Sequence, residues 1–226
     1  EEAAALKSEV DRLLFPDNKA AETFLIDYLV PQLAQNKCAH PQVYLLGDDE
    51  AFSPLKAKLS IQWLDTFYKL EGDALNTLFN IAAKSGNREE LNNIIKFRCD
   101  QLLPKKSAPK DDEQLKQKRD FWFIRAFYFL SLDESKPYWN LLKGDKNSLL
   151  LFNNHSGQLA RVDYSSCPEL TSHKVAAILL AFFHQWPKVT LPSSYGTMSP
   201  AGETAYRFLK DIIWTIGNDS PDEAVS

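Results

Sequence analysis

Residues 73–102, DALNTLFNIAAKSGNREELNNIIKFRCDQL, decide the predicted fold. Apolar side chains recur at helical spacing on both sides of a short break at Ser85-Gly86. Asn87 is a favourable N-cap residue, and Glu90 stands three residues later, as in a capping box. A break of two or three residues between two such helices predicts an antiparallel helix pair, the unit from which helical solenoids are stacked.

Helical spacing continues through most of the remaining sequence. Further helices are predicted at about 2–14, 17–34, 53–70 and 171–186, and from 199 onward. Pro31 is expected to kink or shorten the second of these helices. Ser53-Pro54 supplies an N-cap and a first helical residue for the third.

Residues 121–130, FWFIRAFYFL, are apolar nearly all round. Ten such residues are too few to span a bilayer, so they predict a central core helix. Arg125 is the one charged residue in the run. An unpaired buried charge is costly, so we expect Arg125 to pair with a carboxylate or with backbone carbonyls.

Residues 147–163 interrupt the helical spacing. Two short apolar runs, 149–152 and 159–162, flank a turn-rich hexapeptide from Asn153 to Gln158. This pattern predicts a small β-hairpin. The predicted fold class is therefore all-α, a divergent, HEAT-like, solenoid-type array of helix pairs with one small β-hairpin insertion.

A polar, proline-containing stretch divides the sequence. Residues 104–113 predict a linker or loop between a helical-repeat half, 1–103, and a second helical half, 114–226. Near the end, Ser220-Pro221 and Glu223 have the pattern of a helix start. One helical turn cannot repay the cost of helix nucleation. We therefore expect the native polypeptide to continue past Ser226, which would make this chain truncated at its C-terminus.

Composition excludes several classes of protein. The 226 residues are 44% hydrophobic and 25% charged, as in ordinary globular proteins. Only 8 are glycine, which argues against phosphate-binding loops and Rossmann turns. A net charge of -4 gives no general attraction to nucleic acid, so we do not expect a nucleic-acid partner. No apolar run is long enough for a membrane span, so we do not expect a membrane either. Three widely spaced cysteines without a Cys-x-x-Cys pair indicate a reducing cytoplasm.

Candidate catalytic and metal-binding residues are weak throughout. The four histidines do not cluster in sequence; they are His40, His155, His173 and His184. The acidic turns at 48–50 and 111–113 are typical of solvated turns and helix starts. Cys38-Ala39-His40 has no second pair that would complete a zinc site. The loop 191–197 lacks the Gly-x-Ser-x-Gly pattern of a nucleophile elbow. We expect no catalytic activity, no cofactor and no metal in this segment.

Two loops are candidate partner-binding sites. The long loop 187–198 contains Ser193, Ser194 and Tyr195, and the predicted hairpin tip contains Asn154 and His155. Long loops that carry an aromatic side chain often contact partners. We therefore predict that these five residues contribute to binding a protein or another domain of the same polypeptide.

The last third of the sequence resembles a known family. Its strings are similar to the helical C-terminal region of bacterial NACHT-type STAND NTPases: His173–Leu179 (HKVAAIL), Trp186–Val189 (WPKV), Leu191–Ser194 (LPSS), Gly196-Thr197, Glu203–Leu209 (ETAYRFL) and Ile213–Ala224 (IWTIGNDSPDEA). The close similarity covers about residues 171–225, whereas residues 41–100 are similar only in style, as HEAT-like helix pairs.

The resemblance implies a sensor. Proteins of this family combine an N-terminal effector, a central nucleotide-binding module and a C-terminal helical array that senses a trigger, and many act in antiphage defence. ATP and Mg²⁺ would bind in the central module, because this sequence contains no Gly-x-x-x-x-Gly-Lys-Ser/Thr. The chain would then be a non-catalytic sensor or scaffold segment of a larger ATPase, and its partner would be a protein trigger.

Two alternatives from other classes remain at this stage. One is a stand-alone helical hydrolase that uses histidine and acidic residues. The other is a passive structural spacer with no ligand of its own.

Overall fold

The computed structural model describes residues 2–35, 41–104, 113–152 and 171–186, together with Glu169 and Lys210. These residues are mostly helical, and no strand occurs among them. The all-α class is confirmed for this part of the chain. A solenoid-type stacking of its helices stays a prediction.

Ten α-helices and one 3-10 helix are defined in the described residues. They are α1 Glu2–Leu14, α2 Asn18–Ala34, α3 Tyr44–Asp48, the 3-10 helix Glu50–Leu55, α4 Lys56–Thr66, α5 Gly72–Ser85, α6 Arg88–Leu102, α7 Glu113–Phe129, α8 Leu132–Leu142, α9 Lys146–Leu150 and α10 Ser172–Gln185.

The chain falls into two compact units, Glu1–Ile94 and Ile95–Ser226. Their division lies within α6, ahead of the linker predicted at 104–113. Residues 105–112 of that linker lie outside the described residues. The predicted halves 1–103 and 114–226 therefore stay a prediction.

Unit 1 is built on α4 and α5, which pack against each other, and on α2, which packs against the 3-10 helix. Leucines from four helices are fully enclosed in its core: Leu25, Leu29, Leu46, Leu59 and Leu78. Pro31 does not end α2, which continues to Ala34.

The start of the third predicted helix differs from the prediction at Ser53-Pro54. The Asp49 side chain accepts a hydrogen bond from the backbone N–H of Ala51, so a 3-10 helix begins at Glu50 and encloses both predicted capping residues. The α-helix proper then begins at Lys56 and ends at Thr66. The capping role of Asp49 was not predicted, because Asp49 caps a 3-10 helix and such helices have a weaker sequence signal than α-helices.

The break between α5 and α6 is confirmed. Asn87 caps α6, with its side-chain oxygen 3.1 Å from the backbone nitrogen of Glu90. A Cβ atom at Gly86 would lie 2.6 Å from the carbonyl oxygen of Ala82 and 2.8 Å from the Ile61 side chain. Only glycine leaves room for this close approach. The antiparallel pairing of α5 with α6 stays a prediction, because α6 crosses the division between the units.

Unit 2 is organised around α7, and the prediction of a core helix is confirmed. All ten residues from Phe121 to Leu130 are buried, and α8 packs along α7. The rings of four residues from α7, α8 and the turn after α9 meet with centroids 4.6 to 6.0 Å apart: Phe127, Tyr128, Trp139 and Phe152. These large side chains join α7, α8 and the turn after α9 in one aromatic cluster.

Arg125 lies inside this core, as predicted. One guanidinium nitrogen donates to the carbonyl oxygen of Phe121 at 3.1 Å, and the guanidinium carbon lies 3.3 Å from the centroid of the Phe121 ring. The backbone carbonyl and the ring face compensate for part of the cost of burying the charge.

The prediction of a β-strand at 149–152, the first strand of the hairpin, is wrong. Residues 149–152 form the end of α9 and a following turn. The Asp145 carboxylate caps the backbone N–H groups of Asn147 and Ser148, which starts a helical turn. Leu149 and Phe152, three residues apart, then lie on the same side of that turn and are both buried. The remainder of the hairpin, 153–163, lies outside the described residues.

Candidate functional site

The five predicted partner-binding residues all lie outside the described residues: Ser193, Ser194, Tyr195, Asn154 and His155. Their contribution to binding stays a prediction.

The histidines do not form a site in the described part of the chain. His173 and His184 are both exposed on α10, near its opposite ends, while His40 and His155 lie outside the described residues. Across residues 2–35, 41–104, 113–152 and 171–186, no group of three or more His, Cys, Asp or Glu side chains is placed to hold a metal ion.

Cys99 is buried in unit 2. Burial and the nearby charge of Asp100 raise the pKa of its thiol far above the ordinary value. Its sulfur lies 3.4 Å from the carbonyl oxygen of Trp122. A protonated, buried thiol is not a nucleophile, so Cys99 acts as a core residue.

The strongest polar constellation in the described residues joins α7 to the start of α9. The Ser148 hydroxyl donates to one oxygen of Asp120 at 2.8 Å. The Lys116 ammonium donates to the other Asp120 oxygen at 2.8 Å and to the Ser148 hydroxyl at 3.0 Å. Asp145 completes the group, with a carboxylate oxygen 3.6 Å from the same ammonium. We call these four residues the α7–α9 polar cluster.

Electrostatics favour the ionised forms of Lys116 and Asp145 in this cluster. Burial alone would lower the pKa of Lys116, but the hydrogen bond and charge of Asp120 and the charge of Asp145 outweigh it, so the pKa is raised. Burial alone would raise the pKa of Asp145, but the backbone N–H of Ser148 and the charge of Lys116 outweigh it, so that pKa is lowered. Over the range in which both groups are charged, each stabilises the other.

The Ser148 hydroxyl of the α7–α9 polar cluster is enclosed within unit 2. A serine nucleophile needs a neighbouring base to take its proton and a path to substrate. Ser148 has a neighbouring acceptor in the Asp120 carboxylate, but its side chain is only 2% exposed and has no open path to a substrate. The arrangement therefore fastens α9 to α7 and satisfies the buried carboxylate of Asp120.

The cluster predicts an acid-dependent loss of stability. Since folding lowers the pKa of Asp145, its carboxylate stabilises the fold above the unfolded value of about 3.9, and this contribution is lost as the pH falls through the folded pKa. We expect Asp145→Asn, which keeps an N-cap oxygen but loses the charge beside Lys116, to be less stable than wild type by about 0.5–1 kcal/mol at pH 7 and to match it at pH 2.5. Thermal unfolding between pH 5 and pH 2.5 should then show a shallower decline for the variant, and parallel profiles would contradict this role.

Sequence reasoning missed the buried Lys174. It is 1% exposed, and its ammonium donates to the carbonyl oxygens of Phe127, at 2.6 Å, and Leu130. These carbonyls lie at the end of α7, where a positive charge is favoured by the helix dipole. In the sequence, the position of Lys174 next to the apolar stripe of α10 is the one local indication that the lysine side chain faces the core.

A shallow, wide-open groove along one side of α2 is the clearest candidate for a binding surface among the described residues. Phe24 and Tyr28 stack with their ring centroids 5.6 Å apart, and each is 40% exposed. The Tyr28 hydroxyl donates to the side chain of Gln42 at 2.6 Å, which fixes the ring. The groove is lined by these two rings and by polar or small residues of the same helix and its start: Asp17, Lys19, Ala20, Thr23 and Asp27.

The groove combines an aromatic floor with charged edges. Phe24 also contacts Phe15 and Phe52, with ring centroids 5.2 and 6.0 Å away, so its exposed ring is anchored on the core side. Rigid aromatic side chains surrounded by polar groups are typical of protein-binding surfaces. The arrangement can hold an apolar side chain of a partner and a basic group beside Asp27.

Comparisons with protein families, with curated proteins and with solved structures find no match to this chain. None of the described helices has the length and apolar character that crossing a membrane requires.

Proposed function

We propose that this chain is a non-catalytic, protein-binding segment that serves as the sensor or scaffold part of a larger NACHT-like STAND ATPase in antiphage defence. The observation that carries the proposal is the shallow aromatic groove on α2, with Phe24 and Tyr28 presented to solvent. In contrast, the polar groups of the α7–α9 polar cluster and the Cys99 thiol are engaged inside unit 2.

The resemblance of residues 171–225 to the helical C-terminal region of STAND NTPases supports the wider assignment. A trigger would act by binding one arrangement of the parent protein more tightly than the other, since a ligand shifts an equilibrium only through a difference in affinity. ATP and Mg²⁺ would bind elsewhere in that protein. The complete reading frame tests this directly: a Gly-x-x-x-x-Gly-Lys-Ser/Thr motif upstream is expected, and a frame without one would overturn the assignment to this family.

The groove itself is tested by reversing the charge of Asp27 in the full-length protein. Asp27 is exposed, so Asp27→Lys leaves the folded core intact while repelling a basic group on the trigger. We expect trigger-dependent ATP hydrolysis, measured with co-expressed phage proteins, to need about tenfold more trigger. Basal hydrolysis should be unchanged.

Asp133→Lys is the matched control, because Asp133 is also an exposed acidic residue on a helix, α8, but lies in unit 2. It should leave the trigger response at the wild-type level. Equal effects of the two variants, or none from Asp27→Lys, would assign trigger binding to another surface such as the loop that contains Tyr195.

A further inference from the structure

The groove on α2 contains an acidic side chain that none of the described residues engages. Two other polar side chains of the groove are used within the helix itself. Asp17 caps α2 by accepting a hydrogen bond from the backbone N–H of Ala20. The Thr23 hydroxyl donates to the carbonyl oxygen of Lys19. The Asp27 carboxylate, in contrast, is exposed and forms no hydrogen bond or ion pair with the described residues, so it is free to bind a charge on a partner.

A stack of aromatic rings lines the same groove. The Phe24 ring is nearly parallel to the rings of both Phe52 and Tyr28, with angles of 13° and 11° between the ring planes. Phe52 is buried, whereas Tyr28 is exposed and contacts no further ring among the described residues, so Tyr28 is the exposed end of this stack. Its hydrogen bond to Gln42 holds the ring in place. A fixed, exposed ring attracts cations through its electron-rich face.

A free carboxylate beside an exposed ring is complementary to an arginine side chain. The planar guanidinium of arginine stacks on aromatic faces and forms two parallel hydrogen bonds with a carboxylate. The ammonium of lysine is more strongly hydrated and binds as a point charge, so it gains less on an open, shallow surface. The cation that lines the groove, Lys19, is eight residues from Asp27, which is about 12 Å along the helix. The end of the groove at Asp27 therefore stays acidic.

We propose that the α2 groove binds an arginine side chain of a protein partner, with the guanidinium against the Tyr28 ring and paired with the Asp27 carboxylate. This inference rests on the proposed function, because it names the side chain that the trigger presents to the same groove. A single arginine contact on an exposed surface is weak. For an isolated arginine we therefore expect a dissociation constant on the order of 1–10 mM.

The probe that tests this contact is Nα-acetyl-arginine amide, added to the 226-residue chain. Binding is followed through the backbone amide signals in NMR spectra, and the signals of residues 23–28 should shift and saturate. Nα-acetyl-citrulline amide has nearly the same shape without the charge, so it should bind at least about fivefold more weakly. Equal binding of the two compounds, or shifts confined to other parts of the chain, would overturn the proposal.

Variants of the chain locate the bound arginine. Asp27→Asn keeps the size of the side chain but removes its charge, so arginine binding should weaken about fivefold. Tyr28→Leu keeps an apolar side chain but removes the ring, and binding should weaken about threefold. Asp48→Asn is the matched control, because Asp48 is an exposed acidic residue of unit 1 outside the groove, and it should bind as wild type does. Circular dichroism checks that each variant is folded, and wild-type binding by folded Asp27→Asn or Tyr28→Leu would contradict the proposal.

The arginine probe requires neither the parent protein nor a trigger, so its result is separable from the test of the proposed function. A weakened trigger response in Asp27→Lys without any arginine binding would keep the groove as the trigger site and overturn its preference for arginine. Arginine binding together with a normal trigger response in Asp27→Lys would support the arginine site and contradict its use by the trigger.

Discussion

Substitution of Phe127 by alanine is expected to lower the free energy of unfolding of unit 2 by about 3–5 kcal/mol. Phe127 is completely enclosed, and its ring contacts three others with centroids 4.6 to 6.0 Å away, those of Trp139, Phe152 and Tyr128. Truncation removes the transfer free energy of the ring and leaves a cavity that these large, rigid neighbours fill only in part.

The loss is measurable by urea denaturation followed through tryptophan fluorescence, because Trp122 and Trp139 lie within the same core. Phe183→Ala on α10 is the matched control. Its side chain is 62% exposed, so its removal should change stability by no more than about 0.5 kcal/mol. Similar losses for the two variants would contradict the placement of Phe127 at the centre of unit 2.

Lys174→Ala is expected to be comparably destabilising, by about 3–5 kcal/mol. The substitution removes the charge-assisted hydrogen bonds to the carbonyls of Phe127 and Leu130 and also the buried stem of the side chain. It further removes a positive charge from the negative end of α7. Thermal and urea unfolding of the 226-residue chain measure the effect.

Two further variants separate the causes of this loss. Lys174→Met keeps an unbranched apolar side chain and loses only the ammonium, so its cost should be smaller, about 1–3 kcal/mol. Lys136→Ala on α8 removes an exposed lysine and should be neutral within about 0.5 kcal/mol. Equal stabilities of Lys174→Ala and Lys136→Ala would show that the buried ammonium contributes nothing.

Local signals in the sequence predicted much of the helical structure. Asn87 with Glu90, the ten apolar residues of α7 and the stripe of α10 each depend on interactions within one or two turns, which spacing and capping residues report. The burial of Arg125 was also predictable, because a charged residue surrounded in sequence by aromatic residues has no route to solvent.

Features that depend on distant parts of the chain were not predictable. Lys174 is buried because the end of α7, more than forty residues earlier, presents carbonyls to it. Leu149 and Phe152 were interpreted as strand residues because a short apolar run fits either structure. The Asp145 cap, together with the contacts of Ser148 to α7, resolves that ambiguity in favour of a helix.

The candidate binding surface had only a partial signal. Phe24 and Tyr28 are four residues apart and so share one side of α2, and such a stripe is ordinarily part of the core. The leucines Leu25 and Leu29 take the central buried positions instead, which leaves both rings 40% exposed. The packing of α2 against the rest of unit 1 decides which side of the helix is buried, the side of Leu25 and Leu29 or the side of Phe24 and Tyr28.

The continuous burial of residues 121–130 has a consequence for the exchange of backbone amide protons with solvent. Since every residue in this run is enclosed, its helical amides exchange only through openings that disrupt the core of unit 2, and they report the full stability of that unit. The amides of α1, where no described side chain is buried, exchange through inexpensive local openings instead. Residues 121–130 should therefore take up deuterium much more slowly than α1.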